Sequence, residues 1–152
     1  MKYGLGFLAT LLFLLVALAL QGQEEGEVGF QVIVNTANST PSVSKDLLAD
    51  IFLKKKTVWE AWGTGKEPIK PVDLVEQSAV RKEFSKVVHG KTVSAIKSFW
   101  QRMIFSGRGV PPEEQATEKD VLDYVSTWPG AVGYVAKTTE LPAGVKVLKV
   151  TL

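Results

Sequence analysis

The sequence has no cysteine, one histidine and no strong excess of charge of either sign. Without cysteine it can form no disulfide, present no thiolate nucleophile, build no Cys-rich zinc site and carry no cysteine-linked lipid. The lone His89 has no second imidazole with which to hold a metal. Its place before Gly90, at a predicted helix end, gives it the reading of a cation that complements the helix dipole. Lys and Arg number 18 against 16 Asp and Glu, so the pI of 8.8 reflects near balance, and no nucleic-acid or other polyanion footprint follows from it. A Walker loop, a Ser-His-Asp set with its elbow and a pair of His ligands are all missing. Asp46, Asp50, Asp120 and Asp123 read as solvated helix surface. These absences exclude most catalytic classes, so the chain is not expected to be an enzyme, and no cofactor or metal is implied.

What is present fits a protein that buries one core: 152 residues, 45% apolar and 22% charged. The first 22 residues stand apart. Lys2 precedes an apolar run from Leu5 to Leu20, and the polar stretch QGQEEGE follows, which is the layout of a secretory signal peptide. Ala17 and Ala19 supply small residues for cleavage, and a cut after Gly22 fits nearly as well. The expectation is a signal peptide over 1–22 and a domain over 23–152, periplasmic or secreted. The alternative is an uncleaved anchor, for which the run is short against the roughly 20 residues of a spanning helix.

Along the domain, FQVIVN alternates and is rich in β-branched residues, so it reads as a strand. Ser44 is an N-cap for KDLLADIFL, whose Leu47, Leu48, Ile51 and Phe52 share a face. Lys54, Lys55 and Lys56 follow as a solvated helix end. Trp59, Trp62 and GTGKEP read as a loop, and IKPVDL as a strand in which Pro71 marks an edge or an early bend. Ser78 caps a helix carrying Val80, Phe84, Val87 and Val88 on one face, stopped by Gly90. A third helix starts near Thr92 with a stripe of Val93, Ile96, Phe99, Trp100 and Met103. FSGRGVPP is a loop. Thr117 and Asp120 form a capping box for a fourth helix through Val121, Leu122, Tyr124, Val125 and Trp128, ended by Pro129 and Gly130. Trp100 and Trp128 read as core. AVGYVA and VKVLKV are two closing strands, and the order of elements predicts an α/β sandwich.

The words VIVNTANS, SKDLLADIFLKKKTVW, GKEPIKPVDL, SAVRKEF and PGAVGYV, in that order, resemble the periplasmic phosphate-binding proteins of ABC transporters. The likeness is nearest to short, single-domain forms, which also carry a loop like Ile104 to Pro112. The resemblance implies one lobe of the type II periplasmic-binding fold, a three-layer α/β/α sandwich with a mixed sheet. Full receptors close two lobes on their ligand, so a single wall leaves a shallow, wet site unless a second copy or a partner completes it. The family's phosphate motif is approximately R-x-x-x-S-G-T-R-x-x-F. Laid on this sequence, its first arginine falls on Leu74, its serine on Ser78, its glycine on Ala79, its threonine on Val80, its second arginine on Arg81 and its phenylalanine on Phe84. Leu74 removes a bidentate partner for an oxyanion, and Val80 removes a hydroxyl donor.

Two readings of the Ser78 segment therefore stand side by side. In one, the Ser78 hydroxyl and the amides of Ala79, Val80 and Arg81 cradle an anion at a helix start. In the other they are an ordinary cap. Ser39 and Thr40, which with Asn38 follow the first strand, and Gly107 and Arg108, between which the backbone can approach a ligand closely, are the remaining candidate anion contacts. The function expected is that of an exported, non-catalytic solute-binding-like protein with inorganic phosphate or a related oxyanion as candidate ligand, serving an ABC permease. The alternative is a periplasmic interaction module that keeps the fold without the ligand. Its candidate contacts are the lysine run, Trp62 and the Arg108 loop. A homodimer that rebuilds the clamshell is compatible with the first reading.

Overall fold

A computed structural model describes residues 29–62 and 65–151, so the expected signal peptide over 1–22 lies outside the described residues, as does the Trp62 side chain. Strand β1 (Phe30–Asn35) is followed by β2 (Ser42–Ser44), α1 (Lys45–Phe52), a hairpin of β3 (Val58–Trp62) and β4 (Gly65–Pro68), and β5 (Lys70–Leu74). Then come α2 (Ala79–Phe84), which runs into a π-helical turn Ser85–His89, and α3 (Val93–Phe105). The chain closes with β6 (Glu113–Gln115), α4 (Glu118–Thr127), β7 (Ala131–Ala136), β8 (Val145–Val147) and β9 (Lys149–Thr151).

Five strands form one mixed sheet in the order β6-β5-β7-β1-β8. β5 runs parallel to β6 and β7, whereas β1 runs antiparallel to both β7 and β8. Neighbouring residues of β7 point to opposite faces, and the two faces are covered differently. At Gly133 an added Cβ would stand 2.8 Å from Val121 and 2.9 Å from Val72, so the missing side chain is what lets α4 lie close on that face. On the other face Tyr134 stacks on Phe84 with ring centroids 3.9 Å apart and meets Phe52 at 5.7 Å, which anchors α2 and α1. The result is the expected three-layer α/β/α sandwich with a mixed sheet.

The caps form where side-chain chemistry places them. Ser44, Ser78 and Thr92 each accept a hydrogen bond from the amide three residues on, and Thr117 with Asp120 completes a reciprocal capping box. Gly90 ends the π turn in the left-handed conformation at φ 61°.

Four expectations need correction. The segment read as a loop is the β3–β4 hairpin, and Trp59 turns into the core, where its Nε1 donates to the Gly130 carbonyl at 3.0 Å. Val87 is exposed, because the wider π turn breaks the 3.6-residue phase that would have aligned it with Phe84. Trp128 is exposed as well: the residue before a proline avoids the helical region, so it leaves α4 in an extended conformation and lies under Lys70 Nζ, 3.8 Å from the ring centroid. β5 is an interior strand, and Pro71 is tolerated because β6 begins to pair only at Val72.

Candidate functional site

The Ser78 segment follows the C-terminal end of β5. Ser78 Oγ accepts from the Arg81 amide at 3.2 Å, and its carbonyl accepts from Lys82 at 3.1 Å. Of the amides proposed to face an anion, that of Arg81 is therefore already used by the cap. Those of Ala79 and Val80 have no protein partner among the described residues. Replacing Ser78 by alanine is expected to destabilise the fold by about 1 kcal/mol, the usual effect of losing a cap, measured by urea denaturation.

The Arg81 side chain does not reach toward solvent. It is 6% exposed, and its Nη1 lies 3.1 Å from Asp73 Oδ1 and 3.2 Å from Glu114 Oε1 while also donating to the Leu74 carbonyl. Tyr134, fully buried, donates its hydroxyl to the same Asp73 oxygen. Asp73 from β5 and Glu114 from β6 thus meet one guanidinium, and Tyr134 from β7 holds Asp73 in place. Burial pushes the Asp73 carboxyl up to about 6, against the lowering effects of Arg81 and then the Tyr134 hydrogen bond. Burial, and next the Asp73 charge, push the Tyr134 hydroxyl far above its ordinary value. With two carboxylates around one guanidinium, the charge that would attract an oxyanion to Ser78 is compensated inside the protein.

The other sequence candidates lie elsewhere. Across β7, Pro71 and Val34 are level with Val132, and β1 runs antiparallel to β5. The loop with Ser39 and Thr40 leaves β1 at the opposite end of the sheet from Ser78, separated by the length of β5, roughly 13 Å. Strand ends gather ligands when the strands are parallel, and β1 is the strand that reverses. Asn38 is fully buried there with its Oδ1 accepting from Thr40 N at 2.8 Å, and the Asn38 Nδ2 and Thr40 Oγ1 atoms have no partner. Gly107 and Arg108 sit in the exposed turn after α3 whose chain enters β6 level with Val72. The eight candidate residues thus fall in three separate places.

The lysine run is tied to the protein rather than merely solvated. Lys54 donates to the Pro111 carbonyl at 3.0 Å, Lys55 pairs with Asp50 at 3.2 Å, and Lys56 pairs with Glu60. His89 is not a cation at neutral pH. Burial, helped by the Arg81 charge, lowers its pKa to about 4, and its Nδ1 has no partner. It lines a cleft of about 650 Å³ between α1 and α3, with Asp46, Lys91 and Arg102 at its edge. Among the described residues no cluster of His, Asp and Glu could hold a metal ion, and no helix is long and apolar enough to cross a membrane.

By sequence, no family model and no curated protein matches the chain significantly. By structure the likeness is clear. An ABC-type phosphate transport receptor from Vibrio cholerae matches with a TM-score of 0.60 at 20% identity, over 80% of this chain and 46% of that one. A protein from Clostridium perfringens, assigned to phosphate ABC transporters and solved with phosphate bound, matches with a TM-score of 0.63 at 20% identity, over 80% of this chain and 44% of that one. The chain has the fold of a phosphate-receptor lobe. A possible phosphate binding protein from Planctomyces limnophilus matches at a TM-score of 0.57, with 19% identity over 81% of this chain and 41% of that one. The chain spans less than half the length of each of these neighbours.

Sequence reasoning found the Ser78 cap but missed Asp73 and Glu114. One signal was available. Asp73 stands between Val72 and Leu74 in a strand otherwise made to be buried, and a carboxylate there calls for a buried cation.

Proposed function

We propose that this chain is a non-catalytic, solute-binding-type module of the cell envelope, in which the receptor lobe is kept and the charge that would hold phosphate is turned inward. Its work is then to dock on a partner. The observation that carries this reading is the burial of Arg81 between Asp73 and Glu114. An oxyanion at Ser78 would meet the amides of Ala79 and Val80 but no free guanidinium, and the nearby Glu114 carboxylate would oppose it. One lobe also leaves that position open to water, where two amides and a helix end hold an anion weakly.

The second reading, phosphate capture for an ABC transporter, is favoured by those two open amides and by the phosphate-bound neighbour from Clostridium perfringens. It needs a second wall, supplied by another copy or a permease.

Titration of the chain from Gln23 onward with inorganic phosphate separates the two. The docking reading expects no saturable heat and no rise in melting temperature at millimolar phosphate. A site occupied at a hundred times its Kd would stabilise the fold by about 2.7 kcal/mol. Such a rise, or a phosphate-dependent dimer in light scattering, would move the conclusion to phosphate capture.

A further inference from the structure

We propose that the C-terminal end of α3 and the turn that follows it, Ile104 to Val110, form a docking tip for an anionic lipid surface. The proposal rests on the docking reading above and names the partner. Phe105 is 89% exposed, Val110 61% and Ile104 50%, so three large apolar side chains stand in solvent at the end of α3 and in the turn behind it. Exposed apolar residues gathered in this way mark interaction surfaces.

The turn is stiff. Ser106 N donates to the Arg102 carbonyl at 3.1 Å, Gly107 N to Ile104 at 3.0 Å and Arg108 N to Met103 at 2.9 Å. Arg108 Nε donates to Ser106 Oγ at 3.0 Å, and Lys54 Nζ, from the turn after α1, donates to the Pro111 carbonyl. The side chains are therefore presented on an ordered backbone, which lowers the ordering entropy lost on docking.

Shape and charge select the partner. A ring as exposed as Phe105 stands clear of the protein surface and forms no wall of a groove that a peptide could fill. From Lys91 to Pro112 the sequence has no Asp or Glu, while it carries Lys91, Lys97, Arg102 and Arg108. Lys97 pairs with Glu76, and the guanidinium groups of Arg102 and Arg108 make no ion pair among the described residues. An apolar tip that contains Arg108, follows Arg102 and is set off from Glu113 by two prolines fits the interface of a bilayer with anionic headgroups: the ring and aliphatic chains enter the acyl boundary and the cations stay at headgroup level.

Vesicle flotation tests this with residues 23–152, which contain every described element and omit the apolar Leu5 to Leu20 run that would bind lipid by itself. The expected result is binding to vesicles of equal parts phosphatidylglycerol and phosphatidylcholine, little binding to phosphatidylcholine alone, and about tenfold weaker binding for Phe105→Ser. Arg108→Gln should weaken binding only to the anionic vesicles. Phe105 is outside the core, so Phe105→Ser should keep the parent melting temperature. Absence of vesicle binding, or binding that Phe105→Ser leaves unchanged, overturns the proposal. Self-association that depends on Phe105 without vesicle binding also overturns it and assigns the tip to a second copy. Tight phosphate binding would remove the docking reading of the lobe while leaving the vesicle result to stand or fall alone.

Discussion

Replacing Arg81 by methionine is expected to destabilise the domain by about 3–5 kcal/mol, the range for stripping one partner from a buried ion pair. The loss comes from what remains. Asp73 is 6% exposed and would keep only the Tyr134 hydroxyl, and the Leu74 carbonyl would lose its guanidinium donor. The outcome separates two roles for this side chain. A guanidinium kept for a ligand contributes little to the empty fold, and its removal would change stability by less than about 1 kcal/mol. Denaturant midpoints for Arg81→Met, Asp73→Asn and the double variant give the coupling directly. The double variant should be less destabilised than the sum of the singles, because it leaves no unpaired buried charge. Additive losses would show that the pair does not act as a unit.

A second expectation is that buried Asp73 and half-buried His89 contribute opposing slopes to stability between pH 4 and 6. Asp73 is raised to about 6 in the fold from an ordinary 3.8. Between those values the folded carboxyl holds a proton that the unfolded one has released, so its contribution falls as pH rises. His89 is lowered to about 4 from 6.5. Over that window the unfolded imidazole binds a proton that the folded one refuses, so its contribution rises with pH. Asp73→Asn should unmask the rise and His89→Gln the fall. Each slope is limited to about 1.4 kcal/mol per pH unit for a whole proton, and that of His89 is reduced by its partial contact with solvent. Denaturation of both variants across this range checks the signs, and equal signs would refute the assignment.

The parts of the fold that were legible in the sequence are those fixed within a few residues. A serine or threonine caps the amide three positions on, so Ser44, Ser78, Thr92 and Thr117 declare their helices locally, and the alternation of FQVIVN declares β1. Contacts made at a distance are harder to read. The three-residue strands β2, β6 and β9 are too short to show a period, and the hairpin around Trp59 resembles a loop because its turn residues outweigh its alternation. The π turn hides in the same way: nothing local announces the residue that shifts Val87 outward and His89 inward. At the candidate site the cap was legible, whereas the fate of Arg81 depended on Glu114, 33 residues away, and on which face of β5 carries Asp73.

The one reversed strand of the five-stranded sheet, β1, also governs when the molecule can assemble. β1 pairs on one side with β7, Phe30 opposite Ala136, and on the other with β8. β2 finds its only ladder partner among the described strands in β9, with Ser42 opposite Lys149. The first strands have no ladder to join until the last ones exist, so the sheet closes through loops of about a hundred residues, and such high contact order slows folding. A growing chain of this sequence would remain open, with β1 unpaired on both edges, until its final third had been made.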